Sequence, residues 1–391
     1  MNYRKPSYYE EFKCIAKDCP DTCCAGWEIV IDKDTMSRYQ SMGGELGEYI
    51  LSNVNKEEGV YKRCGNRCAF LNADNLCDLI IRAGEDKLCR TCDKYPRHFE
   101  EYGNLLESLI SISCPVAAKM IIAREEKDSF SSYSDDKPPL SKDVDKKLLS
   151  CICDIRDTLF SLMTDRKDDI NVRIKKILAV GEKVQPLIYQ YEKLGIKKIV
   201  PFYKSNILKK VNKILADEEW FDIYAQHKEI SFSANEQKKL MNSYMEMYVS
   251  LENINDKWPK MVEEVIDILY KDLSCEEYHC YKKEFDSYIK SMDYAYEHLL
   301  VYFVYAYVLG GVYDYNIQGM IKFSVISTLI IKEMCYAHWL KKDKNLSMDD
   351  LVNYAYLYSR QVEHSDNNVL CLEGIFTAHT CFHFEKIYGI L

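Results

Sequence analysis

The chain has no excess of basic residues: 52 lysines and arginines stand against 61 aspartates and glutamates, a net charge of −9 over 391 residues. Proteins that grip phosphate backbones need a basic surface to displace counterions, so this balance argues against a nucleic-acid binder. It suits a basic partner better, such as a lysine-bearing surface. An apolar run near the start is missing too, because MNYRKPSYYEEFKC has no core of the length a secretory signal requires. The most apolar stretch, Leu299 to Val312, contains Gly310 and Gly311 and stops at Asp314. That is short for a bilayer span and reads as a buried helix. A cytoplasmic protein without membrane insertion is therefore expected, and its 17 cysteines read as metal ligands or reactive thiols rather than disulfides.

Two cofactor signatures are also absent. The Cys-x3-Cys-x2-Cys loop of radical S-adenosylmethionine enzymes would need cysteines where Cys64-x3-Cys68 is followed by Leu71 and Cys19-x3-Cys23 by Gly26. The alternating strands and helices of that barrel are missing, as is the glycine-rich strand–turn–helix of Rossmann methyltransferases. No internal repeat is evident.

What the chain does have is cysteine in one place. Ten of the 17 fall between Cys14 and Cys114. After them, residues 128–145 (DSFSSYSDDKPPLSKDVD) are polar and contain Pro138-Pro139, the composition of a linker. The expected organisation is a cysteine-rich metal domain over residues 1–127, a linker over 128–147 and a helical domain over 148–391. Beyond the linker, apolar residues recur at helical spacing, as in Ile207, Leu208, Val211, Ile214 and Leu215, and in Leu240, Met241, Tyr244, Tyr248 and Leu251. Ser233 with Glu236 and Ser347 with Asp350 have the spacing of capping boxes. Tyr294 to Leu309 and Ile317 to Leu340 read as long buried helices, and Trp27, Ile29 and Ile31 alternate as in one short strand. The fold class expected is mainly α: a small, irregular cysteine-rich domain packed on an all-α C-terminal domain.

The cysteines form four groups: Cys14, Cys19, Cys23 and Cys24; Cys64, Cys68 and Cys77; Cys89 and Cys92; and Cys114, followed by Pro115. Thiolates a few residues apart can face one metal without a large loop-closure cost, and they are soft donors suited to zinc or iron–sulfur clusters. Zinc favours paired CxxC knuckles, of which only Cys89-x2-Cys92 has the form, whereas a four-iron cluster accepts irregular spacing. Spacing alone leaves the two metals open.

The segments CPDTCCAGWEIVID, CAFLNADNLCDL, LCRTCDKYPR and SLISISCPVAAKM resemble the flagellin lysine-N-methylase (FliB) family, as do EHLLVYFVYAYVLG and SRQVEHSDNN further on. The cysteine region is also similar to the broader zinc- and iron-chelating (YkgJ-like) cysteine-cluster family. The resemblance implies a cytoplasmic enzyme that methylates lysines of flagellin with S-adenosylmethionine and a [4Fe–4S] cluster. Its matching cysteines are Cys14, Cys19, Cys23, Cys24, Cys68, Cys77, Cys89, Cys92 and Cys114, with Cys64 outside the motif. Nine exceed the four that one cluster needs, so the ligand set and a second metal, zinc included, stay open. Two rival readings are a non-catalytic zinc- or iron-binding protein and an iron–sulfur electron carrier.

Cofactor contacts are sought at Trp27, as a pocket wall or a core aromatic, and at Arg97, whose fork can hold a carboxylate or serve a structural salt bridge. Asp32 suits a turn. Arg360, Glu363 and His364 share one helix face and are candidates to bind or deprotonate the lysine, with an exposed ion pair as the plainer alternative; Arg97, Glu363 and His364 are the catalytic candidates. His379 and His383 flank Cys381 at metal-capable spacing but lack a third ligand. Cys275, His279 and Cys280 read as ordinary helix residues, and Cys151 and Cys153 as packing residues.

Overall fold

The computed structural model describes residues 1–139, 144–196, 201–217, 219–222, 230 and 232–391, and within them the chain is mainly helical. The part of the expected linker at residues 140–143 lies outside the described residues. Two apolar cores organise the fold. The larger one joins the helices to both ends of the N-terminal region, drawing in Tyr8, Tyr9 and Phe12 and then Tyr102 through Ile122. The smaller one is built from Ile29, Ile31, Tyr39, Ile50, Val54, Tyr61, Phe70 and Leu79, together with Cys68 and Cys89.

A four-stranded sheet lies against the helices. We label its strands β1 (Asn2–Pro6), β2 (Arg97–Tyr102), β3 (Leu105–Ile110) and β4 (Phe130–Ser134), in the spatial order β2-β3-β1-β4. β1 runs parallel to β3, with Tyr3 opposite Leu106, and antiparallel to β4, with Tyr3 opposite Tyr133. β4 comes from the segment whose composition suggested a linker. It forms a strand because Phe130 anchors it, stacking on Phe160 at 4.6 Å and Tyr305 at 4.8 Å, while its serines face outward. Asp128, just before it, accepts a 2.6 Å bond from His298 of the helical body.

The expected strand at Trp27–Ile31 does not form as a ladder. Ile29 and Ile31 are buried and Val30 is exposed, so the alternation sets side-chain direction correctly. The backbone, however, makes only an isolated bridge, Val30 opposite Val60, because its partner segment is a two-residue strand.

The helical body follows the apolar pattern. Asp145 caps Lys146–Met163 by accepting from the Lys147 and Leu148 amides, and that helix buries Leu148, Ile152, Ile155 and Leu159. Ile317–Lys341 lies at the centre, buried on every face, and touches Ile170–Ile196, Asp293–Tyr307, Met348–Glu363 and Asp366–Ala378. Its hydroxyls are satisfied internally, Ser324 donating to the Met320 carbonyl and Thr328 to that of Ser324. One helical run, Cys275–Asp314, is long and apolar enough by length and composition to cross a membrane, but 83% of its most apolar window is buried inside the protein.

The sheet and helices are tied by a buried ion pair. Arg156, fully buried, grips Glu107 of β3 in bidentate fashion and also donates to the Tyr305 carbonyl at 3.2 Å. β3 leads directly into Ser111–Cys114, and Pro115–Ile122 then packs on Met348–Glu363. The segment 111–114 thus carries Ile112 and Cys114 into the larger core.

Candidate functional site

The cysteine region is built from turns rather than long elements. Asp32 caps the helix Lys33–Ser41 through Thr35, and its other oxygen accepts from the Arg90 amide at 2.8 Å, tying the loop before the helix to the Cys89 segment. The Cys24 carbonyl accepts from the Cys68 amide at 2.8 Å, bringing the first and second cysteine groups together. Sγ of Cys23 and Sγ of Cys24 are 3.9 Å apart. Hydrogen bonding to the Cys24 thiol pulls the Cys23 thiol down to about 7 and holds Cys24 up. Cys89 is likewise pulled down to about 6 by its bond with Cys92, which is raised in turn. Each pair therefore keeps one member poised as thiolate, the form that ligates metals.

The remaining thiols adjoin these pairs. Burial raises Cys68 and Cys114 to about 11 each, and neighbouring thiols add to the effect: Cys77 and Cys89 on Cys68, Cys19 and Cys23 on Cys114. All nine motif cysteines are thus neighbours of at least one other. Cys64 is exposed on a two-residue strand. Among the described residues no three Cys, His, Asp or Glu side chains are drawn together tightly enough to hold one metal ion. A four-iron cube spreads its thiolates more widely than a single ion with bonds of about 2.3 Å, and the soft donor set suits such a centre.

The helix Met348–Glu363 closes over this region. Arg360, only 7% exposed, donates from Nε to the Ser113 carbonyl at 2.8 Å and from Nη1 to Asp21 at 2.7 Å. Its guanidinium favours the thiolates of Cys19 and Cys23, and its Nη2 is buried without a hydrogen-bond partner among the described residues. The expected exposed ion pair is therefore a buried one, with a partner 339 residues away in sequence. Trp27, Tyr95 and His364 form a half-buried trio, Trp27 lying 4.9 Å from His364 and 5.7 Å from Tyr95. The Trp27 indole donates to the Cys23 carbonyl at 2.8 Å, and the Tyr95 hydroxyl lies 3.1 Å from that of Ser113.

One turn along the same helix, Glu363 accepts from Tyr307 at 2.7 Å, from Tyr302 at 3.1 Å and from the Ser359 hydroxyl. Burial raises its carboxyl above the ordinary range, the hydroxyls only partly offsetting this. His364 is pushed down to about 3 by burial and then by Arg360. At neutral pH that imidazole is uncharged and a poor proton acceptor, so of the two Glu363 is the better base.

Arg97 is not brought to the thiols. It opens β2 with its guanidinium over Tyr9 at 5.5 Å and Phe12 at 5.3 Å, donating to the Phe12 carbonyl. His379 and His383 sit at extended backbone positions flanking the short turn Thr380–Phe382, so their i, i+4 spacing does not place them on one helix face. Asp21, Tyr95, Ser113, Tyr302, Tyr307 and Ser359 join the site without having been singled out in the sequence. Tyr95 had a signal, lying inside the motif LCRTCDKYPR. Tyr302 and Tyr307 were hidden in an apolar helix.

A family model described as the FliB lysine N-methylase C-terminal domain matches residues 156–390. The chain is 31% identical over 146 residues to a flagellar biosynthetic protein FliU of Salmonella muenchen, covering 33% of this chain and 86% of that protein. It is 30% identical over 128 residues to proteins named lysine-N-methylase from Salmonella typhimurium and Salmonella choleraesuis, covering 30% of this chain and 32% of each relative. The match thus spans about a third of the lysine-N-methylases. No solved structure matches the chain.

Proposed function

Because the chain belongs to the FliB lysine N-methylase family, we propose that it is a cytoplasmic, S-adenosylmethionine-dependent protein-lysine N-methyltransferase acting on flagellin, with a [4Fe–4S] cluster held by part of its thiol assembly. One observation carries this reading: the family helix Met348–Glu363 and the residue after it touch the cysteine loop directly, through Arg360 on Asp21 and His364 on Trp27. A metal-storage protein gains nothing from a buried guanidinium beside its thiols, three residues before a carboxyl raised by burial.

S-adenosylmethionine, when bound, supplies a methyl group on a positively charged sulfur. The free Nη2 of Arg360 would hold a carboxylate of the methyl donor, while the faces of Trp27 and Tyr95 favour a cationic group. A lysine ammonium must give up a proton before its nitrogen can form the new N–C bond. Glu363, raised by burial and steadied by Tyr302, Tyr307 and Ser359, accepts that proton. For methyl transfer the chain's task would be to align the lysine nitrogen with the donor's methyl group, Arg360, Trp27 and Tyr95 holding the donor and Glu363 facing the lysine.

The test is to incubate anaerobically purified protein with S-adenosylmethionine and flagellin and to map modified lysines by mass spectrometry. Methylated flagellin is expected. Metal-replete protein that leaves flagellin unmodified overturns the assignment and favours a metal-binding or electron-transfer role. Calorimetry of a cysteine-substituted, metal-free variant then asks whether methyl-donor binding depends on the cluster.

A further inference from the structure

Strand β2 (Arg97–Tyr102) ends the sheet order β2-β3-β1-β4, so β3 pairs with one of its sides only. Just before it, the Pro96 carbonyl accepts from the Ser111 amide at 2.8 Å. With Arg97 opposite Ile110 and Tyr102 opposite Leu105, this turns the backbone groups of His98, Glu100 and Tyr102 toward β3. Those of Arg97, Phe99 and Glu101 turn outward. The Tyr313 hydroxyl marks the alternation by donating to the outward Glu101 carbonyl at 2.8 Å. Among the described residues, the outward N–H and C=O of Phe99 and the outward N–H of Glu101 meet no partner. Phe99 itself is 39% exposed. Such an open row of donors and acceptors is a template for another strand, which proteins guard with lysine, proline or a covering segment. The strand sequence RHFEEY holds no lysine and no proline.

This edge is acidic and adjoins the candidate site. Glu100 and Glu101 stand side by side on it, while the Arg97 guanidinium is turned away over Tyr9 and Phe12. His98 and Glu100 lie opposite Leu109 and Glu107, so they share the sheet face that meets the helical body, where Arg156 grips Glu107. Ser111, the partner of Pro96, opens the short segment to Ser113, whose carbonyl receives Arg360 one turn before Glu363. His98 is bonded to Glu100, which raises its imidazole most, and Glu363 and Asp366 add to the effect. Carboxylates from the edge and from the helix ends thus face one histidine.

We infer that the outer edge of β2 is the docking strand for the protein substrate: an extended, lysine-bearing segment adds to the sheet there and turns its target lysine to the face of His98 and Glu100. The choice of occupant rests on the methyltransferase reading given above; the open edge does not. Main-chain pairing supplies affinity, and alternate side chains of the added strand reach the face that adjoins Glu363. Glu100, Glu101 and Asp366 complement a basic segment. The opposite edge of the sheet, β4, offers serines and no charge. There the Asp135 amide donates to the Met1 carbonyl, so the alternation turns the backbone of Ser132 outward and makes it a control.

The probe is a fluorescein-labelled peptide of alternating lysine and threonine, titrated by anisotropy against anaerobically purified full-length protein. Binding that weakens with added salt is expected, and a wild-type chain that does not bind overturns the proposal. Phe99→Pro removes an outward N–H while leaving the bonds to β3, and should weaken binding about tenfold. Phe99→Ala keeps that N–H and Ser132→Pro alters the other edge, so both should stay within about twofold of wild type. Phe99→Pro with wild-type affinity, or Ser132→Pro with an equal loss, overturns the docking strand. Where Phe99→Pro does not fold, hydrogen exchange on the wild-type chain decides: the peptide should slow exchange at the Phe99 and Glu101 amides, and unchanged exchange there overturns the proposal. A chain that docks the peptide on β2 yet leaves flagellin unmodified sinks the substrate assignment and upholds the docking strand. Flagellin methylated with unaltered KM by a folded Phe99→Pro variant does the reverse.

Discussion

Glu363→Gln should make the enzyme slower and more stable at once. Gln keeps the shape and an oxygen for the Tyr302, Tyr307 and Ser359 hydroxyls, so the pocket should persist. The proton acceptor is lost, and removing a positioned general base costs about 10²–10⁴ in rate. At 1.36 kcal/mol per decade that is roughly 3–5 kcal/mol of barrier. The sign of the stability change follows from the direction of the shift. Burial raises the folded carboxyl above its unfolded value. Its contribution is therefore fully present below the unfolded pKa and is lost as pH rises through the folded pKa. At neutral pH the wild-type carboxylate opposes folding, and the neutral amide does not. The assay is single-turnover methylation of flagellin across pH, with urea unfolding at pH 7. Wild-type rate should fall on the acid side as Glu363 is protonated, and that limb should vanish in the variant. A variant with wild-type rate and an unchanged acid limb would refute the role of Glu363, and one less stable at pH 7 would refute the account of its charge.

Three further outcomes are expected. Glu107→Gln leaves the fully buried Arg156 guanidinium without its countercharge and should cost about 3–5 kcal/mol in urea unfolding; Glu107→Leu/Arg156→Met should recover much of that loss. His364 is held neutral down to about 3 in the folded chain, against about 6.5 when unfolded. The unfolded chain binds more protons between those values, so stability should fall with pH below about 6.5, and His364→Phe should flatten the difference between Tm at pH 7 and pH 4.5. Stripping metal under reducing conditions should abolish the near-ultraviolet circular dichroism of the small core while leaving most of the helical signal, because the helices have their own apolar core.

The long helices were legible because their apolar residues decide them. Tyr294–Leu309 and Ile317–Leu340 appear as Asp293–Tyr307 and Ile317–Lys341, and both capping boxes form at Ser233 and Ser347. The sheet was not legible. β1 is polar, and it is specified by partners more than 100 residues away, at Leu105 and Ser134. β4 was concealed by its serines, with Phe130 packed on the helical body and Tyr133 stacked on Tyr3. In the site, Arg360 and Glu363 were correctly placed on one helix face, yet their surroundings could not be read. Arg360 is buried by Asp21 and Ser113, and Glu363 by tyrosines of another helix, none of them near in sequence. Arg97, sought as a carboxylate holder or a structural salt bridge, has surroundings that its sequence neighbours Pro96 and Cys92 did not announce. It opens β2 with its guanidinium over Tyr9 and Phe12.

The junction explains why a family match confined to the helical portion still bears on the cysteines. Residues 156–390 include Arg360, Glu363 and His364 but none of the nine thiols. Each of those three side chains is completed from outside that span or from a different helix: Arg360 by Asp21 and Ser113, His364 by Trp27 and Tyr95, Glu363 by Tyr302 and Tyr307. Ser111–Cys114 is the common support, because it carries Cys114, receives Arg360 and Tyr95, and follows the strand pinned by Arg156. A shift of the Cys14–Cys24 loop would therefore move the ion-pair partner of Arg360 while leaving Glu363 held by its own helices. Methyl-donor affinity should then depend on the state of the thiols more strongly than the proton-accepting step does, which separates binding from chemistry in one chain.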